Sequence, residues 1–190
     1  GAGCIGGAIA RELSKFKSRV LLVDRADDVT QGATKGNSGI VHAGYDDKPG
    51  SVRSQYCWRG NQMFKQLDEE LHFGYILSGS LVVAKSKEQE AHLEELLARG
   101  HTNGVKNLRI VRGDELRRME PNVHADATAA LYSPDAGSVT PYEYTIALCE
   151  NAVDNGVRVR LNTEVVGVDK QKDNTFVVHL HEHRRGGGAA

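Results

Sequence analysis

The sequence is poor in the features that classify a protein most quickly. It has three cysteines, Cys4, Cys57 and Cys149, in 190 residues. They are far apart and odd in number, with no CxxC, which argues against a disulfide framework and a zinc site. They read as reduced, small apolar side chains, suited to a reducing compartment. Net charge is also nearly absent, at −1. A broad surface for a polyanion is therefore not expected, and nucleic acid is not expected as a partner. No apolar run approaches the roughly 20 residues that span a bilayer, so no transmembrane segment is expected. There are no internal repeats. No HExxH pair occurs among the eight histidines. His179, His181 and His183 alternate as ligands on one strand face could, but they adjoin a tail without periodicity, and no metal is assigned.

Glycine, in contrast, is plentiful, with 21 residues, and its placement is informative. The chain opens on GAGCIGG, a GxGxxG fingerprint through Gly1, Gly3 and Gly6. In such a turn the first glycine permits the tight bend, the second lets backbone approach a pyrophosphate, and the third lets the helix pack closely. The helix N-terminus then offers N–H groups and a positive dipole end to the phosphates. Ile5, Ile9, Leu13 and Phe16 recur at helical spacing, and Ala10, being small, is expected close to the sheet. Val20 to Val23 reads as a buried strand closed by Asp24. That acid follows Gly6 at the distance where a carboxylate meets ribose hydroxyls. The constellation indicates a dinucleotide and leaves NAD and FAD open. Arg25 reads as a solvated side chain.

From Ala26 to Pro49 the chain is a long polar loop, and long loops in compact domains are often functional. Within it, NSGIVHAG brings together Asn37, Ser38, Gly39, His42 and Gly44. Glycines let backbone approach a flat ring, Asn and Ser supply hydrogen bonds, and histidine as a residue type titrates near physiological pH. An ordinary Gly-rich turn with an incidental histidine remains the alternative. Ser51 is the expected N-cap of a helix with Val52, Tyr56, Met63, Leu67 and Leu71 on its apolar stripe; Trp58 is expected in the core. A strand over 79–84 precedes a helix whose capping box is Ser86 with Gln89. Strands follow at 108–112 and 129–133, with a short helix over 114–119 between them. Thr140 with Glu143 suggests a second capping box, with Pro141 at the first helical position. That helix ends at Gly156. Strands over 157–161, 164–169 and 175–181 close the ordered part.

Three stretches, GAGCIGGAIAREL with LLVDRADD, GATKGNSGIVHAGYDDKPGS and LYSPDAGSVTPYEYTIALCENAVDNGVRVRLNTEVVGV, carry a resemblance. The sequence resembles the glycerol-3-phosphate dehydrogenase and 2-hydroxyglutarate oxidase branch of the FAD-dependent amine and hydroxy-acid oxidoreductases, from Gly1 to about Val178. The resemblance implies an α/β fold: a Rossmann-like FAD-binding domain interleaved with an α+β substrate domain, truncated at both ends. The implied cofactor-binding portions are 1–72 and 139–181, the substrate portion is 73–138, and 182–190 is a disordered tail. It implies that Gly1, Gly3 and Gly6 cradle the pyrophosphate of FAD and Asp24 holds the adenosine ribose. Thr34, Asn37, Ser38 and Gly39 would lie along the flavin end, and Val165 would meet the adenine through its backbone. His42 would sit beside the flavin as the base, or as a hydrogen-bonding group for a developing alkoxide.

The implied reaction is oxidation of a secondary alcohol, such as glycerol 3-phosphate or 2-hydroxyglutarate. Relative to the family pattern, the first strand and the C-terminal half are not in the sequence, so the fragment itself is expected to be inactive alone. The rivals are an amine or amino-acid oxidase on the same fold, a plain NAD-dependent dehydrogenase, and a non-catalytic remnant. Oxygen, quinone and an iron–sulfur partner all stay open as electron acceptors. The implied setting is cytoplasmic or peripheral to a membrane, mitochondrial if the source is eukaryotic.

Overall fold

The computed structural model describes residues 1–183. In chain order its elements begin with α1 (Cys4–Ser14), β1 (Leu21–Val23), β2 (Ile40–Val41), α2 (Val52–Asn61) and α3 (Phe64–Leu71). Next come β3 (Ser80–Ala84), α4 (Lys87–Thr102), β4 (Arg109–Arg112), α5 (Gly113–Met119), β5 (Ala129–Ser133) and β6 (Gly137–Ser138). The last are α6 (Pro141–Asp154), β7 (Arg158–Arg160), β8 (Thr163–Lys170) and β9 (Phe176–Glu182). They fall into two compact units. One holds Gly1–Ser38, Leu71–Gly74 and the chain from Thr140 onward; the other holds Gly39–Glu70 and Tyr75–Val139. Among the described residues no helix is long and apolar enough to cross a membrane.

In the first unit β1 and β7 run parallel, with Leu21 opposite Arg158 and Val23 opposite Arg160. Beside them α1 lies on α6 around Ala2, Ala10, Leu22, Cys149, Ala152 and Val157. Ala10 is buried as expected. Ile5, Ile9, Leu13 and Phe16 are exposed, and α1 instead buries Gly7, Ala10 and Arg11. Small side chains win that face because α6 approaches closely: a Cβ on Gly7 would sit 3.1 Å from Cys149 Sγ. Buried Arg11 is held by Asn151, its Nε donating to Oδ1 at 3.0 Å. At Thr140 the expected capping box does not form; α6 starts at Pro141 without a side-chain cap. Pro141 itself removes one of the N–H groups that a cap would serve.

β8 and β9 form an antiparallel hairpin with an irregularity between Val165 and Gly167. Two of the alternating histidines engage carboxylates, and His181 sets its ring edge-on to that of His183. A ring nitrogen of His179 meets Asp169 at 2.7 Å, and one of His183 meets Glu164 at 3.0 Å. Of the expected tail, Glu182 ends β9 and the His183 amide donates to the Asn162 carbonyl at 2.8 Å; residues 184–190 lie outside the described residues.

The second unit is built on an antiparallel sheet in the order β3-β5-β4. One face packs Ala84, Ala129 and Leu131 against Leu93 and Leu96 of α4, with Trp58 at the edge. The opposite face packs Val111 and Ala130 against Leu116 of α5. Burying a leucine as fully as Leu93 or Leu131 contributes about 1.5–3 kcal/mol. The Ser86 cap is present, accepting from the Gln89 amide at 3.3 Å. Gln89 answers one residue earlier than a reciprocal box would, its Oε1 accepting from the Lys85 amide at 2.7 Å. The helix expected after Ser51 is broken into α2 and α3. Its predicted stripe is overturned too: Val52, Tyr56 and Met63 are exposed, while Ser54 and Asn61 are buried. Asn61 explains the polar burial, since its Nδ2 donates to the Val41 carbonyl at 3.4 Å and the Asp135 carbonyl at 2.7 Å. It ties α2 to the two-residue pairing of β2 with β6.

Candidate functional site

In the first unit the glycine turn and the end of β1 form a concavity of about 300 Å³. Gly1, Asp24, Arg25, Thr163, Glu164 and Val165 line it, with Val23. Gly1, Asp24 and Val165, each singled out from the sequence, therefore share one cavity. Thr163 and Glu164 were missed; their position beside Val165 was the signal for them.

Asp24 also has a structural duty that its place in the sequence does not reveal. Its Oδ2 accepts from the Ala2 amide at 2.6 Å and its Oδ1 from the Ala26 amide at 2.9 Å. Its own amide donates to the Arg160 carbonyl at 3.0 Å, and its carbonyl accepts from the Thr163 amide at 2.8 Å. The carboxylate thus fastens the glycine turn to the strand end. Each of its oxygens keeps a second acceptor site that a ribose hydroxyl can use.

The turn requires its glycines for different reasons. A Cβ on Gly6 would lie 1.8 Å from the Gly1 carbonyl oxygen, a backbone atom that no rotamer change can move aside. Gly3 is the N-cap of α1 and brings no side chain to the helix end. A Cβ there would meet Thr34 Oγ1 at 3.0 Å. That same oxygen accepts from the Cys4 amide at 3.1 Å, so Thr34 caps the helix from a distant loop. A bare glycine cap, helix-end amides and a hydroxyl beside them are the donor set that a pyrophosphate needs. The residues present fit a dinucleotide.

The remaining loop residues divide. Asn37 Nδ2 donates to the Thr34 carbonyl at 2.5 Å and the Ala33 carbonyl at 3.2 Å, closing a turn. Ser38 is exposed at the end of that segment. Gly39 and His42 belong to the second unit. Gly39 is buried in a left-handed conformation, φ +67°, and its carbonyl accepts from the Val139 amide at 2.9 Å. His42 follows β2 with its side chain exposed.

The backbone after His42 is tightly held within the second unit. Gly44 has φ +93°, and a Cβ there would lie 3.1 Å from Cys57 Cβ, so glycine is required twice over. Cys57 Sγ donates to the His42 carbonyl at 3.5 Å. Burial, reinforced by the Asp47 carboxylate, pushes this thiol up to about 12, which keeps it a protonated donor. Asp47 is buried and pairs with Arg53 at 2.9 Å.

Comparison with known proteins follows the same lines. The family description "FAD dependent oxidoreductase" matches residues 1–189. A glycerol 3-phosphate dehydrogenase of Caloramator mitchellensis is 43% identical over 171 residues, 90% of this chain and 36% of that protein. A mitochondrial L-2-hydroxyglutarate dehydrogenase of Arabidopsis thaliana is 33% identical over 177 residues, 93% of this chain and 36% of that protein. Among solved structures, the L-α-glycerophosphate oxidase of Mycoplasma pneumoniae with FAD bound superposes with a TM-score of 0.90 at 29% identity. That match covers 97% of this chain and 49% of that one. The chain therefore spans between a third and a half of these relatives' lengths. A glycine oxidase from Geobacillus kaustophilus, at 23% identity and a TM-score of 0.85, shares the fold.

Proposed function

The chain belongs to the FAD-dependent oxidoreductase family, and on that premise we propose that the protein containing it oxidises a secondary alcohol. The substrate is glycerol 3-phosphate or a 2-hydroxy acid such as 2-hydroxyglutarate. The cradle, a glycine-capped helix end beside the cavity that joins Gly1, Asp24 and Val165, carries the FAD part of the reading; the choice of a hydroxy substrate rests on the likeness to the glycerol 3-phosphate and L-2-hydroxyglutarate dehydrogenases. Gly1, Gly3 and Gly6 hold the pyrophosphate of FAD, with Thr34 beside them. Asp24 accepts from the adenosine ribose, and the Val165 backbone meets the adenine. Asn37, Ser38 and Gly39 lead toward the flavin end. The substrate portion is the segment 73–138. The setting is cytoplasmic or peripheral to a membrane, mitochondrial in a eukaryote.

FAD, when bound, supplies the acceptor for the hydride that leaves the carbinol carbon. His42 takes the hydroxyl proton on a ring nitrogen as that C–H bond breaks, so the alcohol becomes a ketone. Two electrons leave with the hydride and one proton leaves to the imidazole. Removing such a group costs about 100- to 10,000-fold in rate.

The test measures ketone formation by the full-length protein from glycerol 3-phosphate and from 2-hydroxyglutarate, with glycine as the amine control. One hydroxy substrate is turned over, and His42→Ala slows it by that factor. An unchanged rate and pH profile in His42→Ala removes the residue from this role. Turnover of glycine in place of the alcohols gives the site to amine oxidation.

A further inference from the structure

The segment that follows His42 has an unusual attachment. Four of its carbonyls, those of His42, Gly44, Asp46 and Asp47, accept hydrogen bonds from side chains of two helices. Cys57 of α2 serves His42 at 3.5 Å, and Arg99 of α4 serves Asp46 at 3.2 Å. Asn103, the C-cap of α4, serves two at once: its Nδ2 donates to Gly44 at 2.9 Å and to Asp47 at 2.7 Å. Both neighbours are acceptors, so the amide must present its nitrogen to them. The contact is close along its length. A Cβ on Gly100 of α4 would lie 2.9 Å from Tyr45 Cβ, and Ala43 is fully buried in the core that α4 builds. A loop that needs only to connect β2 to α2 has no need of such anchoring. A loop that carries an acid–base side chain does, because an error of about 1 Å in placement costs on the order of 100-fold in rate.

We propose that Asn103 is a positioning residue for His42: its two-armed amide fixes the Gly44 and Asp47 carbonyls and so fixes the backbone from which the imidazole projects. The role rests on the reading of His42 as the proton acceptor. Asn103 touches neither substrate nor cofactor in this role and acts through the loop alone. A residue that merely capped α4 would change stability without caring whether His42 is present.

The experiment is a double-mutant cycle in the full-length flavoenzyme, with substrate reduction of the flavin followed by stopped flow. Asn103→Ala slows the limiting rate about 10- to 100-fold, while the half-saturating substrate concentration moves less than about threefold. FAD content is unchanged. In a His42→Ala background Asn103→Ala has no further effect. Independently of turnover, hydrogen exchange across residues 42–47 quickens in Asn103→Ala. Asn103→Asp keeps the size and loses the donor; it carries the same expectations if the alanine variant does not accumulate. A full rate in both Asn103 variants, with His42→Ala slow, overturns the positioning role and leaves the His42 reading standing. Equal slowing in both backgrounds also overturns it. A full rate in His42→Ala overturns the reading on which it rests.

Discussion

Replacing Gly6 by alanine adds one methyl group at the point where the phosphate turn is tightest. Its Cβ would stand 1.8 Å from the Gly1 carbonyl oxygen and 3.0 Å from the Gly1 carbonyl carbon, where ordinary contact begins at 3.4 Å. The gap is about half of what is needed, and the obstacle is backbone. Relief must come from displacing Gly1 and Ala2, which Asp24 holds through its 2.6 Å bond to the Ala2 amide. Overpacking of this kind costs about 1–3 kcal/mol. A gain of under about 1 kcal/mol from alanine's helix propensity offsets little of it in a first turn. If the cost falls on the phosphate-binding conformation, the FAD dissociation constant of the full-length protein rises about 5- to 150-fold. Gly7→Ala is the matched control one residue later. Its Cβ meets the Cys149 sulfur at 3.1 Å, a contact that a few tenths of an ångström relieves, so a near-neutral effect is expected. FAD titration monitored by flavin fluorescence, together with thermal unfolding, separates the two. Equal FAD affinity and equal unfolding temperature in Gly6→Ala and Gly7→Ala would refute the reasoning.

Asp24→Ala removes a carboxylate that accepts from the Ala2 amide of the glycine turn and the Ala26 amide beyond β1, so FAD affinity falls about 10- to 100-fold at charge-assisted strength; calorimetric titration checks it. Ser133→Ala deletes a fully buried hydroxyl without a hydrogen-bond partner among the described residues. Stability therefore rises, by up to about 1 kcal/mol, in denaturant unfolding; a loss of that size would count against the packing described. Cys57 keeps its proton in the fold to about 12 and loses it near 9 when unfolded. Between those values the folded state binds more protons, so stability falls as pH rises, and Cys57→Ala flattens that slope in alkaline melts. Burial also raises Cys149 and Tyr144, which act in the same direction and leave a residual slope. Gly137→Ala places a Cβ 2.6 Å from the Ile76 carbonyl oxygen and destabilises the second unit by about 1–3 kcal/mol in the same assay.

What was legible in the sequence was mostly local. The glycine turn, the strand closed by Asp24, and the caps at Ser51 and Ser86 depend on a few adjacent residues, and each is in place, although of the strand expected to be buried only Leu22 is, and Leu21 is exposed. Periodicity found α1 but does not reveal which face is buried. Ile5, Ile9, Leu13 and Phe16 have the spacing of a buried stripe, yet close approach to α6 selects Gly7 and Ala10 for the interior. The same happened after Ser51, where Asn61 is buried because two carbonyls far away in sequence need its amide. Nothing near Asn61 or Asn103 signals such partners. Pairing of β2 with β6 joins positions about a hundred residues apart through two residues on each side, and no local pattern announces it. Of the candidate site, Gly1, Asp24 and Val165 were readable one by one. Their meeting in one cavity, and the bond from Asp24 to Ala2, belong to the fold.

The most direct test is an anaerobic absorbance spectrum of the full-length protein, recorded before and after substrate. The proposal predicts a flavin band at about 450 nm that glycerol 3-phosphate or 2-hydroxyglutarate bleaches and glycine leaves intact. A protein purified without that band, or one whose band only an amino acid bleaches, would contradict it.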